Sequence, residues 1–208
     1  MVYKNQIKKK WDEILVFSSI LVLFLLSTFL RSSDFMQHVT KLFFLNLFLP
    51  ILILNIVGKN PKKYGLRLGK KRLTILFIIL FVSISIPLMF WSSRRVEFRE
   101  YYPIWSSARL NLSKFVIYGV LIGLIMLSTE FFYRGYILFQ FRKLGMFSIL
   151  IQTIPYVCIH LGKPLLEVYA SLPAGILFGY MAWKTKSIVP SFISHWLIAI
   201  IFDILVMV

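Results

Sequence analysis

The chain has 208 residues and a formal net charge of +16; 59% of its residues are hydrophobic, with a mean hydropathy of +0.80. Soluble domains are typically about 45–50% apolar, so this composition excludes an ordinary soluble protein. Apolar runs recur that are long enough to cross a hydrocarbon core of roughly 30 Å as helices. We therefore predict an all-α fold, a polytopic transmembrane bundle of about six to eight helices.

The positive charge does not indicate nucleic-acid binding. Basic residues lie in short segments between apolar runs, and no basic domain is present that could hold a duplex. This distribution is typical of topology determinants beside anionic lipid headgroups, so we expect membrane lipids as partners and no nucleic acid. Cys158 is the single cysteine, which excludes an intrachain disulfide and a metal site built on cysteines.

The chain begins with a basic segment and an apolar run that has no small-residue cleavage signal. We interpret this run as a retained first span and not as a signal peptide. The candidate spans, in chain order, are 13–30, 40–58, 73–91, 115–141, 145–161, 168–183 and 188–208. The fifth and sixth are short, so we expect them to tilt or to cross only in part.

The basic loops predict the orientation. The 59–72 connection carries seven basic residues and no acid, whereas Glu97 and Glu100 partly offset the basic residues of the 92–114 connection. The N-terminal tail and the turns at Arg142 and Lys184 lie on the same side as 59–72 if all seven spans cross. Because positive residues concentrate on the cytoplasmic side, we expect a cytoplasmic N-terminus. One integral-membrane domain is expected, with helices and basic loops in 1–114 and a functional core in 115–208.

Ionisable side chains within the apolar segments concentrate in this C-terminal core. They are Glu130, Arg134, His160, Glu167, His195 and Asp203. Such residues within spans are costly and are seldom accidental. Glu130 and Arg134 lie one helical turn apart on one face. A helix stop near Gly145 would let an antiparallel pair bring Glu130 and His160 to similar depth, and Asp203 shares the helix face of His195.

Each of these residues also has a purely structural interpretation. Glu130 and Arg134 can neutralise each other, and a single membrane histidine is commonly a hydrogen-bonded packing residue. Glu167 can pair with Lys163, and Asp203 can form a polar contact between helices. The Gly-xxx-Gly pair in the sixth span, at 175 and 179, indicates close helix packing.

The combination of one carboxylate and two imidazoles from three spans fits two kinds of chemistry. A glutamate in a dry cavity can take a proton from water, while one histidine orients that water and another donates to the oxyanion. Alternatively, Glu130, His160 and His195 form a zinc-like ligand set with an open position for water. No His-Glu-x-x-His motif is present to support the metal site. The cofactor is therefore either absent or a divalent ion.

The same residues resemble the CPBP family, the CAAX proteases and bacteriocin-processing enzymes also called the Abi family. The first motif of the family, Glu-Glu-x-x-x-Arg followed by Gly, corresponds to 129–135, with Thr129 at the first position. The second, an aromatic residue and a histidine separated by three residues, corresponds to Tyr156 and His160. The third, His-x-x-x-Asn, corresponds to His195, with Ala199 in place of the asparagine. The resemblance covers roughly 115–203.

The resemblance implies a helical bundle around a water-accessible cavity and a peptidase of the metalloendopeptidase-like type, in a bacterial or archaeal cell membrane. Family members cleave prenylated CAAX tails, process peptides or confer bacteriocin self-immunity. The implied substrate is a peptide or protein, with or without a lipid group. The implied catalytic residues are Glu130 and His160 for the water and His195 for the oxyanion, with Arg134 fixing Glu130.

Two departures from the motifs leave alternatives open. Thr129 cannot act as a base, and Ala199 cannot donate a hydrogen bond. In an active enzyme, Glu130 takes over the base role with support from Asp203 or Glu167. The segment His160 to Pro164 resembles a branch of the family with a single glutamate in the first motif, which favours activity. The alternatives are an inactive membrane interaction or immunity protein, and a transporter with Glu130 and Asp203 as proton carriers.

Overall fold

The computed structural model describes residues 2–208 and, within that range, is entirely helical. Helices of six or more residues are α1 (Val2–Phe29), α2 (Phe35–Ile56), α3 (Lys71–Ser92), α4 (Val96–Tyr101), α5 (Leu112–Gln140), α6 (Phe147–Cys158), α7 (Leu165–Thr185) and α8 (Val189–Met207). The predicted all-α fold class is confirmed.

Six of these helices are long and apolar enough to cross a membrane: α1 (from Lys10), α2, α3, α5, α7 and α8. Large apolar side chains cover their outer faces; Ile75 and Ile79 of α3, for example, are 48% and 58% exposed. Such a surface is stable in lipid and unstable in water. The chain is thus an integral membrane protein, while the position of its N-terminus stays a prediction.

The two spans predicted to be short behave differently. α7 has 21 residues, enough for a full crossing. α6 has only 12 residues, or about 18 Å of helix, which is shorter than the hydrocarbon core. The predicted stop between α5 and α6 is present: a 3-10 turn at Arg142–Leu144 is followed by Gly145 with φ +60°. Complete crossing by all seven predicted spans is therefore not supported by the length of α6.

The central helix α5 changes its winding at the first motif. A π-helical segment, Phe131–Ile137, begins directly after Glu130, and all seven of its residues are buried. A π segment adds a residue to the local turn and is frequent at functional sites. Arg134 lies within this segment, and Glu130 is the last α-helical residue before it.

Close packing of α6 on α7 depends on the two glycines of the Gly-xxx-Gly pair. A Cβ at Gly175 would lie 2.8 Å from Thr153, and a Cβ at Gly179 would lie 2.6 Å from Gln152 and 2.9 Å from Ile149. The predicted packing role of these glycines is confirmed. It places the end of α6, and with it His160, against α7.

We expect Gly179→Ala to lower the free energy of unfolding by about 1–3 kcal/mol, because the added methyl group forces Gln152 and Ile149 apart. Thermal melting of the purified protein in detergent measures the change. Gly119→Ala is the matched control, since a Cβ there meets only Ile200 at an ordinary 3.4 Å. Equal melting temperatures for the two variants would contradict the packing role of Gly179.

The 92–114 connection, expected to be a loop, contains α4 and a 3-10 turn at Ser106–Arg109. Phe98 of α4 is buried, and the rings of Phe98 and Tyr102 lie 5.2 and 5.5 Å from that of Phe202 in α8. Aromatic packing against α8 thus orders this connection. As a result, Tyr102 reaches the interior of the bundle.

Candidate active site within the helical bundle

A cavity of about 730 Å³ lies within the bundle. This volume is in the usual range of pockets that bind small molecules or side chains. Helices from both predicted segments, 1–114 and 115–208, contribute to its lining. The polar residues that line it include Tyr102, Tyr118, Thr129, His160, Lys163, Glu167, His195 and Asp203. Most of the ionisable residues of the C-terminal core therefore surround one space.

Glu130 and Arg134 form an ion pair in the centre of the protein. Both side chains are 0% exposed, and the Arg134 Nη1 lies 3.2 Å from the Glu130 Oε1. The predicted contact between the two residues is confirmed. Because an arginine stays protonated inside proteins, the pair holds Glu130 as a carboxylate, which can only accept hydrogen bonds.

Two aromatic rings cover the guanidinium of Arg134. Its central carbon lies 3.8 Å from the centroid of the Tyr156 ring and 5.2 Å from that of Phe178. Such cation–π contacts stabilise a cation that has left water. The sequence indicates Tyr156 through its spacing from His160, whereas nothing in the sequence indicates the role of Phe178.

His195 of α8 is joined to this pair. Its Nδ1 lies 2.8 Å from the Glu130 Oε1, and its side chain is 13% exposed. Since a carboxylate only accepts, Nδ1 carries the proton and donates it to Glu130. The arrangement fixes the tautomer and the ring orientation of His195 and leaves Nε2 as the nitrogen available to the cavity.

His160 follows α6 and is oriented in a similar way. Its Nδ1 donates to the backbone carbonyl oxygen of Tyr156 at 2.8 Å, since a carbonyl oxygen only accepts. Its ring lies 4.6 Å from that of Tyr156. The neutral ring therefore has its lone pair on Nε2, so His160 can accept a proton from a molecule in the cavity.

Glu167, in the first turn of α7, forms the expected pair with Lys163 at 2.7 Å, through Oε1. Two further neighbours are not apparent from the sequence. The Tyr102 hydroxyl donates to Oε2 at 2.6 Å, and the His160 Nε2 lies 4.0 Å from Oε1. Burial and the adjacent carboxylate raise the pKa of Tyr102 well above its usual range, so the phenol stays protonated and donates.

Asp203 lines the same cavity from α8, two turns after His195. It is 1% exposed, and its Oδ2 accepts a hydrogen bond from the Tyr118 hydroxyl at 2.9 Å. The expected shared face of Asp203 and His195 is confirmed. Tyr118 has no counterpart in the sequence motifs.

The three predicted catalytic residues are not equivalent in the structure. His160 and His195 line the cavity, as do Thr129 and Ala199, the two positions that depart from the family motifs. Glu130 lies behind His195, with a side chain that is 0% exposed and is occupied by Arg134 and His195. The residue next to it, Thr129, holds the position from which a carboxylate would face the cavity.

The predicted zinc-like ligand set does not come together. In the part of the chain that the structure describes, no group of three or more His, Cys, Asp and Glu side chains is placed to hold a metal ion. The Nδ1 atoms of both histidines are already hydrogen-bonded, and Glu130 binds Arg134. A divalent cofactor stays a prediction.

Comparison with known proteins gives one result. Residues 109–201 match the family model of the Rce1-like type II CAAX prenyl endopeptidases. The chain has no significant match among curated proteins or among solved structures. The match includes Glu130, His160 and His195, and its limits are close to those of the motif resemblance. Residues 109–201 of this integral membrane protein are therefore similar to the Rce1-like type II CAAX prenyl endopeptidases, in agreement with the resemblance of the motifs.

Proposed function

We propose that the protein is an intramembrane endopeptidase that hydrolyses a peptide bond with water held in the central cavity. One observation carries the proposal: two imidazoles from different helices line one cavity, and each is held through Nδ1, so that Nε2 is available for chemistry. The match to an endopeptidase family supports it.

In the proposed reaction His160 acts as the general base. Its Nε2 takes a proton from a water molecule, the water oxygen forms a bond with the scissile carbonyl carbon, and the carbonyl oxygen becomes an oxyanion. A doubly protonated His195 donates from Nε2 to that oxyanion. The proton on His160 then passes to the leaving amine, and the C–N bond breaks.

Glu130 and Arg134 position His195 in this scheme. Glu130 is proposed from the sequence as an activator of water, but the cavity is lined by its neighbours Thr129 and His195 and not by Glu130 itself. We therefore assign Glu130 the task of orienting His195 and balancing its second proton. Arg134 fixes Glu130 through the buried ion pair.

The proposed substrate is the C-terminal segment of a peptide or protein that carries a lipid group. The cavity lining supports this class because apolar side chains of α3 and α5 form much of it, including Phe81, Ile84, Leu88, Ile122 and Met126. An apolar chain covalently attached near the scissile bond would contact these side chains. The printed description of the matched family, a CAAX prenyl endopeptidase, agrees with this class.

The test uses the full-length protein in lipid vesicles and two quenched fluorescent peptides that differ only in a farnesyl group on the cysteine. We expect cleavage of the farnesylated probe, with ¹⁸O from labelled water in the new carboxylate. His195→Ala is expected to lower kcat about 10²–10³-fold, because an oxyanion donor is lost. The matched control, Leu197→Ala, alters α8 at a residue that is not part of the cavity lining.

Cleavage by His195→Ala at the wild-type rate would contradict the proposed role of the histidine. Equal cleavage of both probes would support the peptidase activity but would contradict the proposal that the substrate carries a lipid group. No cleavage of either probe would support the second candidate, a catalytically inactive interaction or immunity protein. That candidate is favoured by Thr129 and Ala199, which line the cavity without the groups of the family motifs.

A further inference from the structure

We propose that His160 and Glu167 together hold the nucleophilic water, which makes Glu167 the carboxylate of the catalytic centre. The inference rests on the proposed peptidase and names a catalytic residue that lies outside the three family motifs. It explains how hydrolysis can proceed in a chain that has Thr129 where a cavity-facing glutamate would otherwise stand.

The spacing between the two side chains fits one water molecule. The Nε2 of His160 and the Oε1 of Glu167 are 4.0 Å apart, too far for a direct hydrogen bond. A water that donates to both atoms at about 2.8 Å spans this separation with an angle near 90°. Both side chains line the cavity, and Glu167 is 21% exposed, so water and substrate can reach the position between them.

The state of both acceptors suits this water. His160 has its lone pair on Nε2 because Nδ1 donates to the Tyr156 carbonyl oxygen. Glu167 accepts hydrogen bonds from the Lys163 Nζ on Oε1 and from the Tyr102 hydroxyl on Oε2. These donors fix the carboxylate in place, and Oε1 keeps a second lone pair for the water.

The chemistry follows from this placement. The water directs both hydrogens to protein acceptors, so its lone pairs face the cavity and the scissile carbonyl. One proton moves to the Nε2 of His160 as the O–C bond forms, and the other stays on the new hydroxyl group, hydrogen-bonded to Glu167. The carboxylate remains ionised and stabilises the imidazolium that His160 becomes.

The helix packing supplies each part of this site. Glu167 lies in the first turn of α7, which the glycines at 175 and 179 bring close to α6 and hence to His160. Tyr102 comes from the segment that follows α4, before the 109–201 region that matches the family model. The N-terminal segment thus contributes a side chain that holds a catalytic carboxylate.

The first experiment measures kcat and KM of the farnesylated probe for Glu167→Gln. We expect kcat to fall about 10–10²-fold with KM within about threefold, since Gln keeps the size of the side chain and loses its charge. Glu167→Asp, which keeps the carboxylate, is expected to recover part of kcat. The matched control is Glu97→Gln, which makes the same change at a half-exposed acid that does not line the cavity.

Wild-type kcat in Glu167→Gln would overturn the inference while leaving the peptidase intact. The inference would also be overturned if Glu167→Gln and Glu167→Asp lost the same share of kcat and both lowered the melting temperature by the same amount. The role of Glu167 would then be structural.

The second experiment does not depend on cleavage. A high-resolution crystal structure of the wild-type protein is expected to show one ordered water within hydrogen-bond distance of both His160 Nε2 and Glu167 Oε1. If this water is present but neither probe is cleaved, the proposed function is refuted, whereas the water site between His160 and Glu167 is supported. No density there, or a metal ion in its place, would overturn the inference even if the enzyme is active.

Discussion

Replacing Glu130 with glutamine is expected to lower the free energy of unfolding by about 3–5 kcal/mol, because the change leaves the cation of Arg134 uncompensated in the protein interior. Both side chains are 0% exposed, so water cannot take over the role of the carboxylate. Unfolding in a graded series of detergent mixtures, followed by circular dichroism, measures the loss. A loss of activity is expected as well, because His195 loses an anionic partner.

The chain offers a matched control for this experiment. Arg95 and Glu97 form a pair of similar length, 3.3 Å, but both side chains are about half exposed. Exposed pairs contribute only about 0–1 kcal/mol, so Glu97→Gln is expected to leave the stability nearly unchanged. If Glu130→Gln were as mild as Glu97→Gln, the buried ion pair would not be a determinant of stability.

A double replacement separates the structural role of the pair from its role at the site. Glu130→Gln combined with Arg134→Met removes both charges, so much of the lost stability is expected to return. Activity is not expected to return, because His195 still lacks the carboxylate that balances its second proton. Recovery of full activity in the double variant would assign the pair to structure alone, as an inactive interaction protein would require.

Replacing His160 with alanine is expected to lower kcat for the farnesylated probe by about 10²–10⁴-fold, since the proposed general base is lost. The binding of the probe should change little, because the apolar lining of the cavity stays in place. Initial rates over a range of probe concentrations, with the enzyme in vesicles, give kcat and KM separately.

Two comparisons make the result for His160 interpretable. Leu165→Ala alters a nearby residue that is 64% exposed and is expected to keep the wild-type kcat. His160→Ala should also keep the melting temperature within a few degrees of wild type, since its ring packs at the cavity surface. Wild-type turnover by His160→Ala would refute the proposed base, and a collapse in stability would assign the histidine to packing.

Several features of the fold follow from local sequence. Apolar runs of sufficient length predict the spans, because placing a charged side chain in lipid costs more free energy than other residues in the run can offset. The helix stop at Gly145 is predictable, since a positive φ favours glycine. The Gly-xxx-Gly pair predicts close packing because only glycine lets helices approach to that distance. The order and spacing of the motifs indicate the family.

The site is less predictable because its contacts depend on how the helices rotate against one another. Sequence periodicity places Glu130 and His160 at similar depth but does not show that Glu130 turns to His195 and away from the cavity. The π segment after Glu130 alters the helix face in a way that a period of 3.6 residues does not reveal. Tyr102 lies in a connection with no motif, where it packs on Phe202 and reaches Glu167.

The sequence by itself determined the membrane class, the helical architecture, the resemblance to the CAAX endopeptidases and the set of ionisable residues, since these depend on composition and on short-range spacing. The tertiary structure alone decided which carboxylate meets which histidine. Glu130 is joined to Arg134 and His195 in the interior, whereas Glu167 faces His160 across 4.0 Å at the cavity. The physical reason is that these pairs join different helices, so their distances depend on packing at the helix interfaces and not on separation along the chain.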